Sequence, residues 1–175
     1  MKVAVLIPTR MAATRFPGKP LAKIMGMTMI EHVFQRCALA VGKESVWIAT
    51  CDREIEEVAH GFGAKVIMTS NTHVRCTDRI AEAARSIQGV DIAINVQGDE
   101  PVLDPESLHQ VLQPFRDNPQ LLGQQPRAKN RSCSRRSGQL QYRQSGFQSE
   151  ATGDVLFTRS DSDSSKNLGC KTHLV

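Results

Sequence analysis

Short apolar runs alternate with amphipathic segments through residues 2–115, and this alternation limits the possible folds more than any other feature of the sequence. The apolar runs are rich in β-branched residues, which is typical of strands buried on both faces, and they occupy residues 2–8 (KVAVLIP), 45–51 (SVWIATC), 65–69 (KVIMT) and 91–97 (DIAINVQ). Apolar side chains at helical spacing occupy residues 29–41, 53–62, 78–87 and 105–115. Strands joined by helices pair in parallel, so the sequence predicts an α/β three-layer sandwich with a mostly parallel sheet.

Two local signals predict where helices begin and end. Asp104 followed by Pro105 is typical of an N-cap with proline at the first helical position. Gly63 suits the left-handed conformation that often ends a helix. Both signals agree with the helix limits that the apolar spacing predicts.

The alternation of strands and helices stops after residue 123. Residues 124–150 combine six basic residues with one acid, are rich in Gln and Ser, and lack the period of a strand or a helix. Such a segment buries too little apolar surface to offset its ordering entropy, so we expect it to be disordered. Residues 151–160 (ATGDVLFTRS) predict one more strand. The chain therefore divides into an α/β domain over 1–123, a basic segment over 124–150 and a short remnant over 151–175.

The net charge of +4 arises in the segment 124–150, so it does not indicate a nucleic acid partner for the α/β domain. The five cysteines lack the spacing of a metal site, which predicts free thiols. No run approaches the roughly 20 apolar residues of a membrane span. The start of the chain also lacks the features of a signal peptide. We therefore expect a cytoplasmic protein that does not bind membranes.

The loop after the first strand, residues 8–20 (PTRMAATRFPGKP), carries the first candidate binding residues. Arg10 and Arg15 suit bidentate contacts with phosphate, Lys19 adds a point charge, and Gly18 lets the backbone approach a ligand. The spacing matches neither GxxxxGK[ST] nor GxGxxG, which excludes a P-loop or a dinucleotide fingerprint. The residues alone leave a triphosphate site and a solvated basic loop as alternatives.

The segment 96–101 (VQGDEP), at the end of the last predicted domain strand, carries the second group of candidates. Asp99 is suited to hold Mg²⁺, Gly98 allows a tight turn, and Gln97 suits a base or ribose edge. An ordinary acidic turn is the alternative. Because ligands of open parallel sheets bind at the carboxyl ends of the strands, we expect Lys19 and Asp99 to share one cleft.

Three collinear motifs resemble one known family: IPTRMAATRFPGKPL (7–21), MIEHV (29–33) and VQGDEP (96–101). They are similar to the CMP-Kdo synthetases, or 3-deoxy-manno-octulosonate cytidylyltransferases, whose pattern runs IPAR.ASTR.PGKPL, MI.HV, SGT[ED]R and VQGDEP. The related acylneuraminate cytidylyltransferases share the opening loop. The resemblance implies a Rossmann-like fold of the nucleotide-diphospho-sugar transferase type.

The resemblance also implies an enzyme that moves CMP from CTP to 3-deoxy-manno-octulosonate (Kdo), giving CMP-Kdo and pyrophosphate for lipopolysaccharide synthesis. It implies Mg²⁺ as cofactor, CTP and Kdo as small-molecule partners, and a homodimer. The roles that it implies are triphosphate binding by Arg10, Arg15 and Lys19, Mg²⁺ ligation by Asp99, shaping of the cytidine pocket by Thr77, Asp78, Arg79 and Gln97, and contact with the acidic sugar by Arg159.

The chain departs from the family pattern in two places. Arg75 and Cys76 stand where the family has the small pair of SGT, and His73 just before them is a further candidate for a place near the nucleotide. After residue 123 the resemblance stops until FTRS (157–160), and the family's later segments are absent. We therefore expect a truncated copy in which 124–150 is translated out of frame.

These departures leave several functional alternatives. The chain is an active cytidylyltransferase for Kdo, an enzyme for a related acid sugar such as 8-amino-Kdo or an acylneuraminate, or an inactive domain that still binds CTP. A further alternative is that the segment 124–150 acts as a nucleic-acid arm, with Tyr142 and Phe147 as stacking groups. A solvated basic segment without nucleic acid is the simpler expectation.

Overall fold

Eleven strands and helices make up the part of the chain that the computed structural model describes, which is residues 1–12, 16–73 and 75–118 with the backbone of 154–157. In chain order they are β1 (Val3–Pro8), β2 (Lys23–Ile24), β3 (Met27–Thr28), α1 (Met29–Val41), β4 (Val46–Thr50), α2 (Arg53–Gly61), β5 (Lys65–Met68), α3 (Cys76–Ser86), β6 (Ile92–Asn95), α4 (Pro105–Asp117) and β7 (Asp154–Phe157). Two 3-10 turns, Lys19–Leu21 and Lys43–Ser45, lie among them.

The main sheet has the strand order β5-β4-β1-β6-β7. The four strands from β5 to β6 pair in parallel, and β7 joins β6 in the antiparallel direction. From β1 the chain first extends the sheet through β4 and β5, and then returns to place β6 on the other side of β1. Open α/β sheets bind ligands at such a reversal of strand order, outside the carboxyl ends of the strands.

Helices cover both faces of the sheet. Side chains of α1, α2 and α4 pack on one face against Val5 and Ile7 of β1, whereas α3 packs on the other face against Ala4 and Leu6. Successive residues of β1 face opposite sides because side chains alternate along a strand, and residues 4–7 are all fully buried. The α/β three-layer prediction is therefore confirmed for the described residues.

Local signals account for the helix ends. Thr28 caps α1, since its Oγ1 accepts a hydrogen bond from the Glu31 backbone N–H at 3.3 Å. Asp104 caps α4 in the same way through Glu106 at 3.1 Å, with Pro105 in the first turn. The N-cap prediction at Asp104 is confirmed, and so is the left-handed conformation of Gly63, whose φ is 79°.

Several predicted boundaries were wrong by one or two residues. Helix α3 begins at Cys76 and not at residue 78, so the altered segment after His73 opens a helix. The β2–β3 hairpin was missed because two-residue strands are too short to show an alternating pattern. Its turn places both Met25 (φ 49°) and Gly26 (φ 91°) in the left-handed region. Within the strand predicted at 151–160, the described residues form β7, and the rest of that range lies outside the described part of the chain.

Other sequence expectations concern cysteines, membranes and the later segments. Cys37, Cys51 and Cys76 are free thiols, and Cys133 and Cys170 lie outside the described residues. Within the described ranges, no helix is long and apolar enough to cross a bilayer, and no cluster of three metal-binding side chains occurs. The predictions for 124–150 and 158–175, including the stacking roles of Tyr142 and Phe147, also fall outside the described part of the chain.

We expect Leu6→Ala to lower the free energy of unfolding by about 2–5 kcal/mol, because Leu6 is fully buried in the central strand and its truncation leaves a cavity. Leu39→Ala is the matched control, since that leucine on α1 is 72% exposed, and it should change stability by less than about 0.5 kcal/mol. Urea denaturation followed by circular dichroism measures both. Equal losses in the two variants would contradict the assignment of β1 to the core.

Candidate active site

An open cleft of about 250 Å³ lies at the carboxyl ends of β1 and β6. Its walls come from the loop after β1, the loop between β5 and α3 with the first turns of α3, and the loop after β6. The residues that line it are Pro8, Thr9, Arg10, Lys19, Pro20, His73, Arg75, Cys76, Arg79, Gln97, Gly98 and Asp99. The cleft thus occupies the place where the reversed strand order predicts a ligand site.

Lys19 and Asp99 meet in this cleft. Lys19 Nζ donates to Asp99 Oδ2 at 2.5 Å, although the two residues are 80 positions apart in the sequence. Both side chains are partly exposed, at 33% and 50%, so the pair contributes little to stability. Its importance is geometric, because it brings together a cation from the loop after β1 and an acid from the loop after β6.

Two glycines allow this arrangement. A Cβ atom on Gly98 would lie 3.1 Å from the Pro8 carbonyl oxygen, so the loop after β6 packs directly on the end of β1. Gly98 and Asp99 form a turn, as the sequence interpretation expected, without a left-handed φ at the glycine. Gly18 is left-handed, with φ at 72°, and starts the 3-10 turn that contains Lys19.

The loop after β6 is also held from the helix layer. Arg36 on α1 donates from Nε to the Leu103 carbonyl oxygen at 2.9 Å, and the Leu103 backbone N–H donates to the Glu100 carbonyl at 3.1 Å. Burial, and next the charge of Asp99, raise the pKa of Glu100 above its usual value. Glu100 is not among the residues lining the cleft. The two neighbouring acids therefore differ in environment, and Asp99 is the one available to a ligand.

Arg79 brings a buried positive charge to the wall of the cleft. Its side chain is nearly inaccessible to solvent, and its guanidinium donates to Thr69 Oγ1 and, at 3.4 Å, to Cys51 Sγ. Thr69 Oγ1 in turn donates to the Thr50 carbonyl at 3.1 Å. No carboxylate within the described ranges forms an ion pair with Arg79. A buried cation whose donors contact a hydroxyl and a thiol, and not a carboxylate, suits a site that receives an anionic or polar ligand.

Glu82 on α3 forms hydrogen bonds with the loop after β5, which carries His73. Its Oε2 accepts hydrogen bonds from His73 Nε2 and, at 3.0 Å, from the Ser70 backbone N–H. The His73 hydrogen bond, and next the one from Ser70, hold the pKa of Glu82 below its usual value. The contacts tie the loop after β5 to the helix that follows it.

The side chains around the cleft give it an excess of positive charge. Its lining includes four cationic residues, Arg10, Lys19, Arg75 and Arg79, against one acid, Asp99. Cations that converge on a concave surface attract polyanions and suit phosphate oxygens. The arrangement is therefore suited to a phosphorylated ligand.

The structure brings together six of the residues that the sequence nominated: Arg10, Lys19, His73, Arg79, Gln97 and Asp99. Thr77 and Asp78 lie on the first turn of α3 but are not among the lining residues. Arg15 and Arg159 lie outside the described residues.

Two lining residues, Arg75 and Cys76, were noticed only as departures from a family pattern. Their position after the third parallel strand was a usable signal, since loops at the carboxyl ends of neighbouring strands gather at one edge.

Comparison with known proteins identifies the family. Residues 4–154 match the protein family described as Cytidylyltransferase, which is well over half of the chain. The chain belongs to the cytidylyltransferase family. The chain is 49% identical over 116 residues to a 3-deoxy-manno-octulosonate cytidylyltransferase of Myxococcus xanthus, and 46% identical over 121 residues to an 8-amino-3,8-dideoxy-manno-octulosonate cytidylyltransferase of a Shewanella strain.

A solved structure supports the same relationship. It is described as CMP:2-keto-3-deoxy-manno-octonic acid synthetase complexed with CTP, and it matches with a TM-score of 0.65 at 43% identity over 68% of this chain and 49% of that chain. The two sequence matches cover 66% and 68% of this chain, but 47% and 49% of the relatives. The chain thus spans about half the length of the relatives that it matches.

We expect Gly98→Ala to destabilise the protein by about 1–3 kcal/mol, because the added methyl group must displace either the end of β1 or the loop after β6. Gly61→Ala on α2 is the control, since a Cβ there meets no atom within 4 Å, and it should be neutral or stabilising by up to about 1 kcal/mol. Thermal unfolding compares the two. If Gly98→Ala is as stable as Gly61→Ala, the close packing of the two loops is wrong.

The lowered pKa of Glu82 predicts a pH dependence of stability. A carboxyl group with a depressed folded-state pKa stabilises the fold above its unfolded pKa, usually 4.5, and that contribution is lost as the pH falls through the folded-state pKa. We therefore expect Glu82→Gln to be destabilising near pH 7 and the difference from the parent chain to shrink below about pH 4. Urea unfolding at both pH values measures it. Glu57→Gln, at an exposed position on α2, should show no such convergence.

Proposed function

We propose that this chain forms the CTP-binding half of a CMP-Kdo synthetase. The proposed reaction moves the cytidylyl group of CTP to the anomeric hydroxyl of 3-deoxy-manno-octulosonate and releases pyrophosphate, for lipopolysaccharide synthesis in the cytoplasm. The observation that carries the proposal is the contact of Lys19 with Asp99 in a cleft rich in cations. The names of the relatives supply the chemistry that this arrangement suits.

The cleft residues suit this reaction because cytidylyl transfer depends mainly on positioning and charge neutralisation. The guanidinium of Arg10 and the ammonium of Lys19 are placed to neutralise phosphate oxygens, including the charge that grows on the departing pyrophosphate. Arg15 remains a prediction for the same loop. In this proposal, Lys19 gives up part of its contact with Asp99 when the triphosphate enters.

The residues present fit a magnesium ion that is shared with phosphates. Within the described ranges no three acids, histidines or cysteines are grouped, which does not favour a metal held by protein side chains alone. Mg²⁺ usually keeps several waters and takes one or two carboxylates together with substrate phosphates, and the half-exposed carboxylate of Asp99 suits that role. When bound there, Mg²⁺ would supply further charge neutralisation.

Other residues are proposed to recognise the rest of the two substrates. The amide of Gln97 can both donate to and accept from a base edge, and Arg79 offers buried donors beside it in the cleft. Thr77 and Asp78 stay proposed contributors at the start of α3. Arg159 is proposed to meet the carboxylate of the sugar, as a bidentate partner.

A second candidate function is CTP binding without turnover. The observation that favours it is that Arg75 and Cys76 line the cleft where the family pattern has the small pair of SGT. The choice of sugar also has two candidates, because the relatives are named for Kdo and for its 8-amino analogue. A homodimer is also part of the proposal, because the family resemblance implies one.

Titration calorimetry with CTP and Mg²⁺ tests the proposed site. We expect Lys19→Met and Asp99→Asn each to weaken CTP binding by about 10- to 100-fold, because each removes a charge-assisted contact of about 1.5–3 kcal/mol. Lys23→Met is the matched control, since Lys23 is exposed on β2 and does not line the cleft, and it should change affinity by less than about twofold. Equal affinities for all variants would contradict the site.

Pyrophosphate release then separates the two candidate functions. The unaltered chain is incubated with CTP, Mg²⁺ and, in separate reactions, Kdo, 8-amino-Kdo or an acylneuraminate. Release with one sugar identifies the transferase and its substrate. CTP binding without release from any sugar selects the second candidate.

A further inference from the structure

Asp52 is a carboxylate outside the cleft that is bonded to the cation-bearing loop. It follows β4 directly, and its Oδ2 accepts a hydrogen bond from the Met11 backbone N–H at 2.8 Å. It occupies the N-cap position of α2, yet its side chain makes no capping hydrogen bond. The carboxylate is therefore directed to the loop after β1 and not to the helix that it precedes.

Backbone hydrogen bonds connect Met11 to the 3-10 turn that contains Lys19. The Met11 carbonyl oxygen accepts from the Gly18 N–H at 3.1 Å, and the Gly18 carbonyl accepts from the Leu21 N–H at 3.0 Å to close the 3-10 turn. Lys19 is the first residue of that turn. Met11 also packs against the main apolar cluster, so it is one of the points at which the loop is attached to the fold.

A second tie lies beside the first. The Thr9 backbone N–H donates to the Ala49 carbonyl oxygen at 3.0 Å, which continues the pairing of β1 with β4 by one residue. The next contact between these two segments is the hydrogen bond from the Met11 backbone N–H to the side chain of Asp52, which lies after the end of β4. Asp52 is itself oriented by its own backbone N–H, which donates to Thr50 Oγ1 at 3.1 Å.

We propose that Asp52 is a positioning residue that holds the first loop in the conformation in which Lys19 reaches Asp99. It acts through Met11 and Gly18, and it is not among the residues that line the cleft. The inference rests on the proposed function only in naming the ligand, CTP, that the positioned lysine would bind.

Three variants separate positioning from general stability. Asp52→Ala removes the acceptor for the Met11 N–H, whereas Asp52→Asn keeps a side-chain oxygen that can accept it. Asp104→Ala is the matched control, because Asp104 also precedes a helix but does cap it, and it does not line the cleft. None of the three removes a residue proposed to touch the nucleotide.

Amide hydrogen exchange tests the proposal without any ligand. We expect Asp52→Ala to raise the exchange of the Met11 and Gly18 amides by about tenfold or more relative to amides of α1, while Asp52→Asn stays within about threefold of the parent. Asp104→Ala should leave both loop amides unchanged. Unchanged loop exchange in Asp52→Ala overturns the proposal, and so does equal acceleration throughout the fold.

Calorimetry with CTP and Mg²⁺ supplies the second measurement. We expect about a tenfold loss of CTP affinity in Asp52→Ala, recovery in Asp52→Asn, and parent affinity in Asp104→Ala. If the parent chain binds CTP and Asp52→Ala binds it equally well, the positioning role is overturned. If the parent chain does not bind CTP, the proposed function fails, and the exchange measurement alone decides the role of Asp52.

Discussion

The parallel pairing of β1 with β4 on one side and β6 on the other is the constraint on which the rest of the structure depends. Val3–Pro8 is the central strand, and its pairing brings the carboxyl ends of both neighbours to the same edge of the sheet. Asp52 and Asp99 come from those two ends, and Lys19 comes from the loop after β1 itself. A one-residue change of register would turn residues 4–7 to the opposite faces and move both acids.

The cleft is built from contacts that differ in their physical role. Gly98 permits close backbone packing, and the contact of Lys19 with Asp99 is exposed and weak. Arg79 and Glu82 instead hold the other wall through hydrogen bonds to Thr69, Ser70 and His73. A ligand can displace the weak contact while the surrounding backbone stays in place, which is the preorganisation that phosphoryl chemistry requires.

Much of this arrangement was predictable because its signals are local. The apolar runs predicted β1, β4, β5 and β6, and the resemblance of residues 7–21 and 96–101 predicted the two loops that meet. The β2–β3 hairpin was not predictable, since its strands have two residues each. Asp52 was also missed, because an acid before a helix is most simply interpreted as a cap. Its true acceptor role depends on Met11, which lies 41 residues away.

The sequence by itself determined the fold class, the helix caps at Thr28 and Asp104, and the residue types available for binding a nucleotide, because these follow from periodicity and nearest neighbours. The sequence also predicted that Lys19 and Asp99 share a cleft, and the tertiary structure decided which individual contacts form. Lys19 reaches Asp99 and Asp52 reaches Met11 because strands distant in sequence lie side by side. The same packing buries Arg79 against Thr69 and Cys51 and brings Gly98 close to Pro8. Such contacts arise from strand order, which no local pattern encodes.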